Sequence, residues 1–307
     1  MAAADQSTQP DRVDPVRAQR YPAPHRGPPV TELGAAGLLE LCRRHLDPGS
    51  QPLVEHASNT NTTVLRVATP SYGPVIIKAH RSLERYANEL HAYLHWTSAI
   101  PDEVPRLLAH IDEPPTLIVT AVPGSVLTEL DLPVEHERAA YEQAGALLAA
   151  WHTAQPPTHT VDMTSWLADR GHAWLELATD VLSTGDRNTI RAHLRDLATI
   201  RDVPVVPCHL DFTPRNLILA PDATVRLIDF EHARMDLAAR DLVRLTDRYW
   251  RHRSDLETAF LIAYGPLTDL DRQIIEHCTY LDRLTKAVRA TGCHPPLEPN
   301  QEPGEHH

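Results

Sequence analysis

His209, Asp211, Asn216 and Asp229 are polar residues at short spacings in otherwise apolar surroundings. They lie in Val206-Pro207-Cys208-His209-Leu210-Asp211-Phe212-Thr213-Pro214-Arg215-Asn216-Leu217-Ile218-Leu219 and in Leu227-Ile228-Asp229-Phe230-Glu231. The pattern is apolar run, polar loop, apolar run, turn, apolar run, acid. Asp211 follows His209 by two positions, Asn216 follows Asp211 by five, and Asp229 follows Asp211 by eighteen. An Asp, an Asn and an Asp set on short strands meet the needs of Mg·ATP phosphoryl transfer. One carboxylate orients the attacking hydroxyl, while an amide oxygen and a second carboxylate hold the metal. Each residue alone has an ordinary reading. An Asp that closes a strand is usually a turn-former, and a Lys or Glu at the edge of an element is usually solvated. The weight lies in their joint order.

The elements that must position these residues read as follows. Leu33 to Leu46 has helical spacing. Strands follow at Val54–His56, at Val64–Val67 and at Val75–Ala79, the last carrying Lys78, with a Pro/Gly turn at 70–74. Ser82 can N-cap a helix with apolar Leu83, Tyr86, Leu90, Tyr93 and Leu94; that helix carries Glu89, eleven positions after Lys78. Strands at Arg106–Ile111 and Thr116–Thr120 complete the sheet. Beyond Val122-Pro123-Gly124-Ser125 the pattern is mainly helical: Glu135–His152, Trp166–Leu182, Arg187–Ile200 with Asp186 as its cap, and Ala238–Trp250. A capping box at Ser254 and Glu257 opens the next helix, and Thr268 caps a last one with the stripe Leu270, Ile274, Cys278, Leu281, Leu284 and Val288. Residues 1–29, rich in Pro, Arg, Ala and Gln, read as a disordered arm, and 293–307 as a disordered Pro- and Glu-rich tail.

Composition narrows the function classes. The chain of 307 residues has 41 Asp+Glu against 29 Lys+Arg, a net charge of −12, so no basic face for nucleic acid is expected. Its 4 Cys have no CxxC spacing and read as reduced thiols. No apolar run has the length of a membrane span, and the N-terminus lacks the charged-then-apolar pattern of a signal peptide, so a cytoplasmic location is expected.

A small sheet-rich lobe, a short hinge and a helical lobe with an Asp-x4-Asn loop resemble the protein-kinase fold. More closely, the chain is similar to the aminoglycoside phosphotransferase family, related to choline, homoserine and fructosamine kinases. The likeness covers roughly 50–290. The family's His-Gly-Asp-x4-Asn stands here as His209-Leu210-Asp211-x4-Asn216, its metal-binding Asp as Asp229 in Ile228-Asp229-Phe230-Glu231, and its later acidic segments as Met235-Asp236-Leu237 and Arg240-Asp241-Leu242.

The resemblance implies a bilobal α+β fold, with an antiparallel N-lobe over residues 30–121 and a helical C-lobe over 122–292. It makes Asp211 the catalytic carboxylate, His209 a brace of its loop, and Asn216 and Asp229 the ligands of Mg²⁺. It assigns Lys78 to the α- and β-phosphates of ATP, with GTP also compatible, and Glu89 to Lys78. It makes Thr120-Ala121-Val122 the hinge that meets adenine, and the glycine-free loop with Ser58, Asn59 and Thr60 the cover of the nucleotide. Leu210 departs from the family's Gly, so either the loop backbone does not need φ > 0 at that position or the loop is altered.

Acceptor recognition in such proteins belongs to the helical lobe. Candidates are Asp236, Asp241, Asp247, Tyr249, Trp250, Tyr280 and Asp282, with Trp166, Asp169 and Trp174 upstream. Carboxylates beside aromatic faces suit an amine-bearing or sugar-like ligand. The expected activity is ATP- and Mg-dependent O-phosphorylation of a small molecule, foremost an antibiotic of aminoglycoside, nucleoside or peptide type. The alternatives are a metabolic kinase of choline or homoserine type and a catalytically inactive kinase-like binding module.

Overall fold

The computed structural model describes residues 33–56, 62–159 and 162–293. The expected arm, the Ser58-Asn59-Thr60 loop and the tail beyond Cys293 lie outside the described residues.

The first half is an antiparallel sheet with one helix on each face. Strands β1 (Gln51–His56), β2 (Thr62–Thr69), β3 (Gly73–His80), β4 (Leu107–Ile111) and β5 (Thr116–Thr120) stand in the order β1-β2-β3-β5-β4. Helix α1 (Ala35–His45) precedes them, and α2 (Leu83–His95) joins β3 to β4. Side chains alternate across a strand, so Val75, Ile77 and Ala79 of β3 face Leu38 and Cys42 of α1 in one buried cluster. The same period turns Lys78 to the other face, where Tyr86, Ala92 and Tyr93 of α2 pack with Leu117 and Val119 of β5. Lys78 and Glu89 are thus brought together by two periods, two residues on β3 and 3.6 on α2. Ser82 caps α2 as expected, its hydroxyl accepting the Arg85 N–H at 3.4 Å.

The second half is helical around short strands: β6 (Ser125–Val126), α3 (Val134–His152), α4 (Met163–Glu176), α5 (Thr184–Leu197), β7 (Val206–Cys208), β8 (Leu217–Leu219), β9 (Val225–Leu227), β10 (Arg234–Asp236), α6 (Ala239–Arg244) running on as a π-helical turn over Leu245–Trp250, α7 (Ser254–Tyr264) and α8 (Asp269–Arg289). Strand β7 pairs with β10, and β8 lies between β6 and β9, all antiparallel. Gly124 enters β6 at φ +123°, and a Cβ there would stand 2.3 Å from the Leu219 carbonyl oxygen, so only glycine lets the chain pass this close to β8. The α+β expectation of a small antiparallel sheet and a larger helical part holds.

Three details differ from expectation. Helix α5 is capped by Ser183, whose hydroxyl accepts the Asp186 N–H at 3.1 Å; Asp186 is its partner in the first turn, not the cap. Ser254 is itself helical, and Arg253 holds the cap position of α7 without a side-chain bond. In α8 the box closes between Thr268 and Asp271, but Leu270 is 40% exposed and the buried stripe starts at Ile274.

Cys42, Cys208 and Cys278 are buried and Cys293 is exposed. Burial raises all three buried thiols, Cys278 to about 12, so their thiolates are suppressed. Iodoacetamide at neutral pH is expected to add one label to the native protein and 4 after unfolding, read by intact mass. More than one label on the native chain would contradict this packing.

Candidate active site

The chain leaves β7 at Cys208 and turns at His209. His209 Nε2 donates to the Ile228 carbonyl at 3.0 Å, so Nδ1 carries the lone pair that accepts the Asp211 N–H at 3.3 Å. The imidazole therefore ties the Asp211 loop to the strand end that presents Asp229. Its ring stands edge-on to Phe230 at 5.5 Å, and Phe230 stacks on Trp151 at 4.9 Å and meets Tyr93 of α2 at 5.2 Å. The loop that carries Asp211 is thereby packed against both halves of the molecule.

Leu210 has φ +58°, in the left-handed region. The first of the two sequence-based alternatives, that this position avoids φ > 0, is wrong. The turn keeps the geometry that glycine would take, and a fixed acceptor holds it. Asp241 Oδ1 accepts the Leu210 N–H at 2.5 Å, and Asp241 Oδ2 accepts the His209 N–H at 2.9 Å and bonds His152 Nε2 at 3.0 Å. The left-handed conformation costs a non-glycine residue about 1–2 kcal/mol, and a β-branched residue pays more. Leu210→Gly removes a half-buried side chain but also removes this strain, so its net effect on stability is expected to stay within about 1 kcal/mol. Leu210→Val, closer in size, is expected to cost more than Leu210→Gly in urea unfolding. The reverse order would show that side-chain packing outweighs the backbone here.

Asp211 is almost completely buried, and its carboxylate is surrounded by donors. Oδ2 accepts from Arg215 at 2.5 Å and from Asn216 Nδ2 at 2.9 Å, and Oδ1 accepts from Arg244 Nη1. Burial alone would raise its pKa; Arg215 and Arg244 outweigh burial and hold the carboxyl below its ordinary value. A carboxylate has about four lone-pair sites, and three are taken, which leaves one on Oδ1.

Asn216 spends its Nδ2 on Asp211, on the backbone oxygen at 2.8 Å and on Oδ2. Its Oδ1 is the acceptor that these bonds leave unused. Asp229, at φ +69°, receives Lys78 Nζ on Oδ1 at 2.6 Å. Burial would raise Asp229, but Lys78 outweighs it and holds the carboxyl at about 2. Lys78 Nζ also meets Glu89 at 2.9 Å and Glu231 at 3.1 Å, while Glu231 is shared with Arg85 of α2. Burial would discharge the ammonium; Glu89, Asp229 and Glu231 together push its pKa well up. The Ile228 N–H donates to the Asn216 carbonyl at 3.1 Å, so an amide oxygen and an ionised carboxylate stand on adjoining backbone, hard donors that suit Mg²⁺ better than a soft metal. Two other buried groups of potential ligands occur among the described residues: in His152–Cys208–Asp241 the Asp241 oxygens are taken by the bonds above, and in His80–Glu89–Glu231 the His80 Nε2 stands 3.1 Å from Glu89 while neither His80 ring nitrogen has a hydrogen-bond partner.

Of the sequence-predicted site residues, His209, Asp211, Asn216, Asp229, Lys78 and Glu89 come together. Within 120–122, Thr120 N donates to the Arg106 carbonyl and Ala121 N to the Pro74 carbonyl, both at 3.0 Å, so the Val122 N–H is the donor that the sheet does not use. The candidate acceptor residues scatter. Asp236 is fully buried under Arg234 and Arg240, Asp241 braces the loop, and Trp250 packs on Phe260 in the core. Tyr280 stacks on His193 of α5 at 3.7 Å, Tyr249 lies half-buried against the core, and Asp247 pairs with Arg283. Only Asp282 connects to Asp211, through Arg244, whose Nε it accepts at 3.1 Å. Trp174 is buried and Trp166 exposed. The sequence reading passed over Arg215, Arg244 and Arg85. Arg215 had a signal, the i, i+4 spacing from Asp211; Arg244, 33 positions from Asp211, had none.

A model of the phosphotransferase enzyme family, APH, matches residues 52–273. No curated protein sequence matches the chain. Among solved structures, the chain is similar to spectinomycin phosphotransferase APH(9)-Ia in complex with ADP and spectinomycin, at 15% identity and TM-score 0.59 over 84% of this chain and 88% of that one. It is similar to a choline/ethanolamine kinase family protein from Mesorhizobium loti, at 18% identity and TM-score 0.60 over 79% and 81%. It is also similar to aminoglycoside phosphotransferase APH(3'')-Id from Streptomyces rimosus, at 21% identity and TM-score 0.53 over 81% and 98%. At these identities the likeness speaks for the fold.

Proposed function

Because the chain belongs to the APH phosphotransferase enzyme family and is a small-molecule kinase, we propose that it moves the γ-phosphoryl group of Mg·ATP to a hydroxyl of an antibiotic. The carrying observation is the convergence of Asp211, Asn216, Asp229 and Lys78, linked by the Asn216–Asp211 and Lys78–Asp229 bonds. Similar folds in spectinomycin and aminoglycoside phosphotransferases support the antibiotic class. GTP remains compatible as donor.

The residues divide the work. Lys78, fixed by Glu89, meets the α- and β-phosphates, and the Val122 backbone meets the base. Asn216 Oδ1 and Asp229 would hold Mg²⁺, which when bound offsets charge on the phosphate oxygens. Asp211 accepts the acceptor hydroxyl at the free site on Oδ1. With its low pKa it is a weak base, so it orients the hydroxyl first and takes the proton late. The bond from the acceptor oxygen to the γ-phosphorus forms as the bond to the β–γ bridging oxygen breaks, and the hydroxyl proton passes to Asp211. His209 positions this loop through its two ring nitrogens.

Incubation with Mg·ATP and an antibiotic panel is expected to add the mass of one phosphoryl group to at least one member. If no antibiotic gains it and a small metabolic alcohol does, the antibiotic assignment fails and a kinase of the choline or ethanolamine type takes its place.

A further inference from the structure

Lys78 is surrounded by acids. Its Nζ donates to Asp229 Oδ1 at 2.6 Å and lies 2.9 Å from Glu89 Oε2 and 3.1 Å from Glu231 Oε2. An ammonium has three N–H donors, and this one faces three carboxylates. Glu89 and Glu231 are buried, and carboxylate oxygens of the two lie within 4.8 Å of one another. Water screens such charges poorly. A phosphate that comes to Lys78 must therefore displace a carboxylate, and a carboxylate left buried without a cation is strongly penalised.

The three acids differ in what else can hold them. Asp229 has the metal role assigned above. Glu89 has His80 Nε2 at 3.1 Å. Glu231 has Arg85, whose Nη1 bonds Oε1, the oxygen that does not face Lys78. His232 Nε2 is also near Glu231 but stands at 3.7 Å, beyond hydrogen-bond reach. Helix α2 places Arg85 for this contact. Ser82 caps the helix, Arg85 lies in its first turn, and Glu89 follows one turn later on the same face. That face sends a carboxylate to Lys78 and a cation to a second carboxylate that competes for Lys78. Phe230, between Asp229 and Glu231, packs on Trp151 and Tyr93, which leaves the two acids together at the lysine. Arg85 is half-buried, so its guanidinium can follow Glu231 through a small movement.

We propose, resting on the phosphotransferase reading, that Arg85 is a positioning residue for the nucleotide and acts through Glu231. When the ammonium of Lys78 turns to the α- and β-phosphates, Arg85 keeps the Glu231 carboxylate paired, so Glu231 gives up the lysine without being stranded. In the absence of Arg85 the carboxylate has Lys78 to pair with and competes with phosphate for it. The two charges of α2 then have opposite effects on the lysine: Glu89 holds Lys78 in place, and Arg85 releases it to the phosphates.

The test uses the full chain and two ligands, Mg·ATP and adenosine, which has the base and ribose but no phosphate. Titration calorimetry reads the dissociation constant of each. Arg85→Gln is expected to weaken Mg·ATP about tenfold and adenosine by less than about twofold, because the competition concerns the phosphates alone. Arg85→Lys is expected to recover part of the loss. Arg85→Gln combined with Glu231→Gln removes the competing charge, and is expected to bring Mg·ATP binding back to within about threefold of the native chain. Unchanged Mg·ATP affinity in Arg85→Gln overturns the proposal. A double variant that binds as weakly as Arg85→Gln also overturns it, because Arg85 would then act without Glu231. An equal loss of adenosine binding does the same, because the two halves of the molecule would then have shifted. A native chain that neither binds Mg·ATP nor transfers its phosphoryl group refutes the phosphotransferase reading, and the proposal with it; native binding with an unaffected Arg85→Gln refutes the proposal alone.

Discussion

Asp211→Asn lowers kcat by about 10²–10⁴-fold while KM for Mg·ATP and the unfolding midpoint move little, the magnitude expected when a positioned proton acceptor is removed. The substitution keeps the shape of the side chain and one oxygen for the donors on this loop. It removes the ability to take a proton. It also removes the charge that Arg215 and Arg244 oppose. Those guanidiniums are half-buried to exposed and can turn to water, so the stability cost stays modest. The metal donors and Lys78 are untouched, so nucleotide binding persists. The measurement is steady-state phosphorylation of the acceptor identified by mass, with Mg·ATP affinity followed by thermal shift. A variant with near-normal kcat would take the proton-acceptor role from Asp211. A variant that loses nucleotide binding as well would mean that the loop, rather than the chemistry, had failed.

The parts of this site legible in the sequence are those set by local period and spacing. Asp211 and Asn216 stand five positions apart on one loop, Asp229 ends the next apolar run but one, and Lys78 and Glu89 sit on a strand and a helix whose periods aim them at each other. The order of strands and helices along the chain and the two-part α+β organisation are read from the same periods. What the sequence hid is what depends on partners far along the chain. Asp236, Asp241 and Trp250 look like surface-ready polar and aromatic groups, but each is buried by arginines, backbone N–H groups or Phe260 from elsewhere. Tyr280 and Asp282 are two residues apart on α8 and so face different neighbours, one toward His193 and one toward Arg244. The candidate acceptor carboxylates are therefore paired with arginines rather than open to a ligand: the carboxylates were visible in the sequence, and the cations that neutralise them were not. Leu210 misled in a related way. A residue type gives the intrinsic cost of φ > 0, but not whether a buried carboxylate 31 positions away holds the turn against that cost.

That carboxylate is the strongest single hold on the loop. Asp241 side-chain exposure is nil, and both of its oxygens are used: Oδ1 on Leu210 N–H, Oδ2 on His209 N–H and His152. Asp241→Ala leaves two buried backbone N–H groups without an acceptor, at about 1–3 kcal/mol each, and leaves His152 Nε2 without its partner while Nδ1 keeps Tyr264, so a total loss of about 3–5 kcal/mol is expected from urea unfolding. Asp241→Asn is no rescue, because its amide group would set a donor against one of the two backbone donors. Catalysis falls with stability. Leu210 then has no anchor for its left-handed turn, the loop relaxes, and Asp211 drifts from the line between acceptor and phosphoryl group. A displacement on the order of 1 Å costs about 10²-fold in rate. Leu210→Gly in the Asp241→Ala background separates the two effects. Glycine adopts the turn without strain, so it is expected to recover part of the activity while leaving the unpaired N–H groups, and most of the stability loss, in place. A stability loss under about 1 kcal/mol with kcat intact in Asp241→Ala would show instead that the loop holds its shape without this carboxylate.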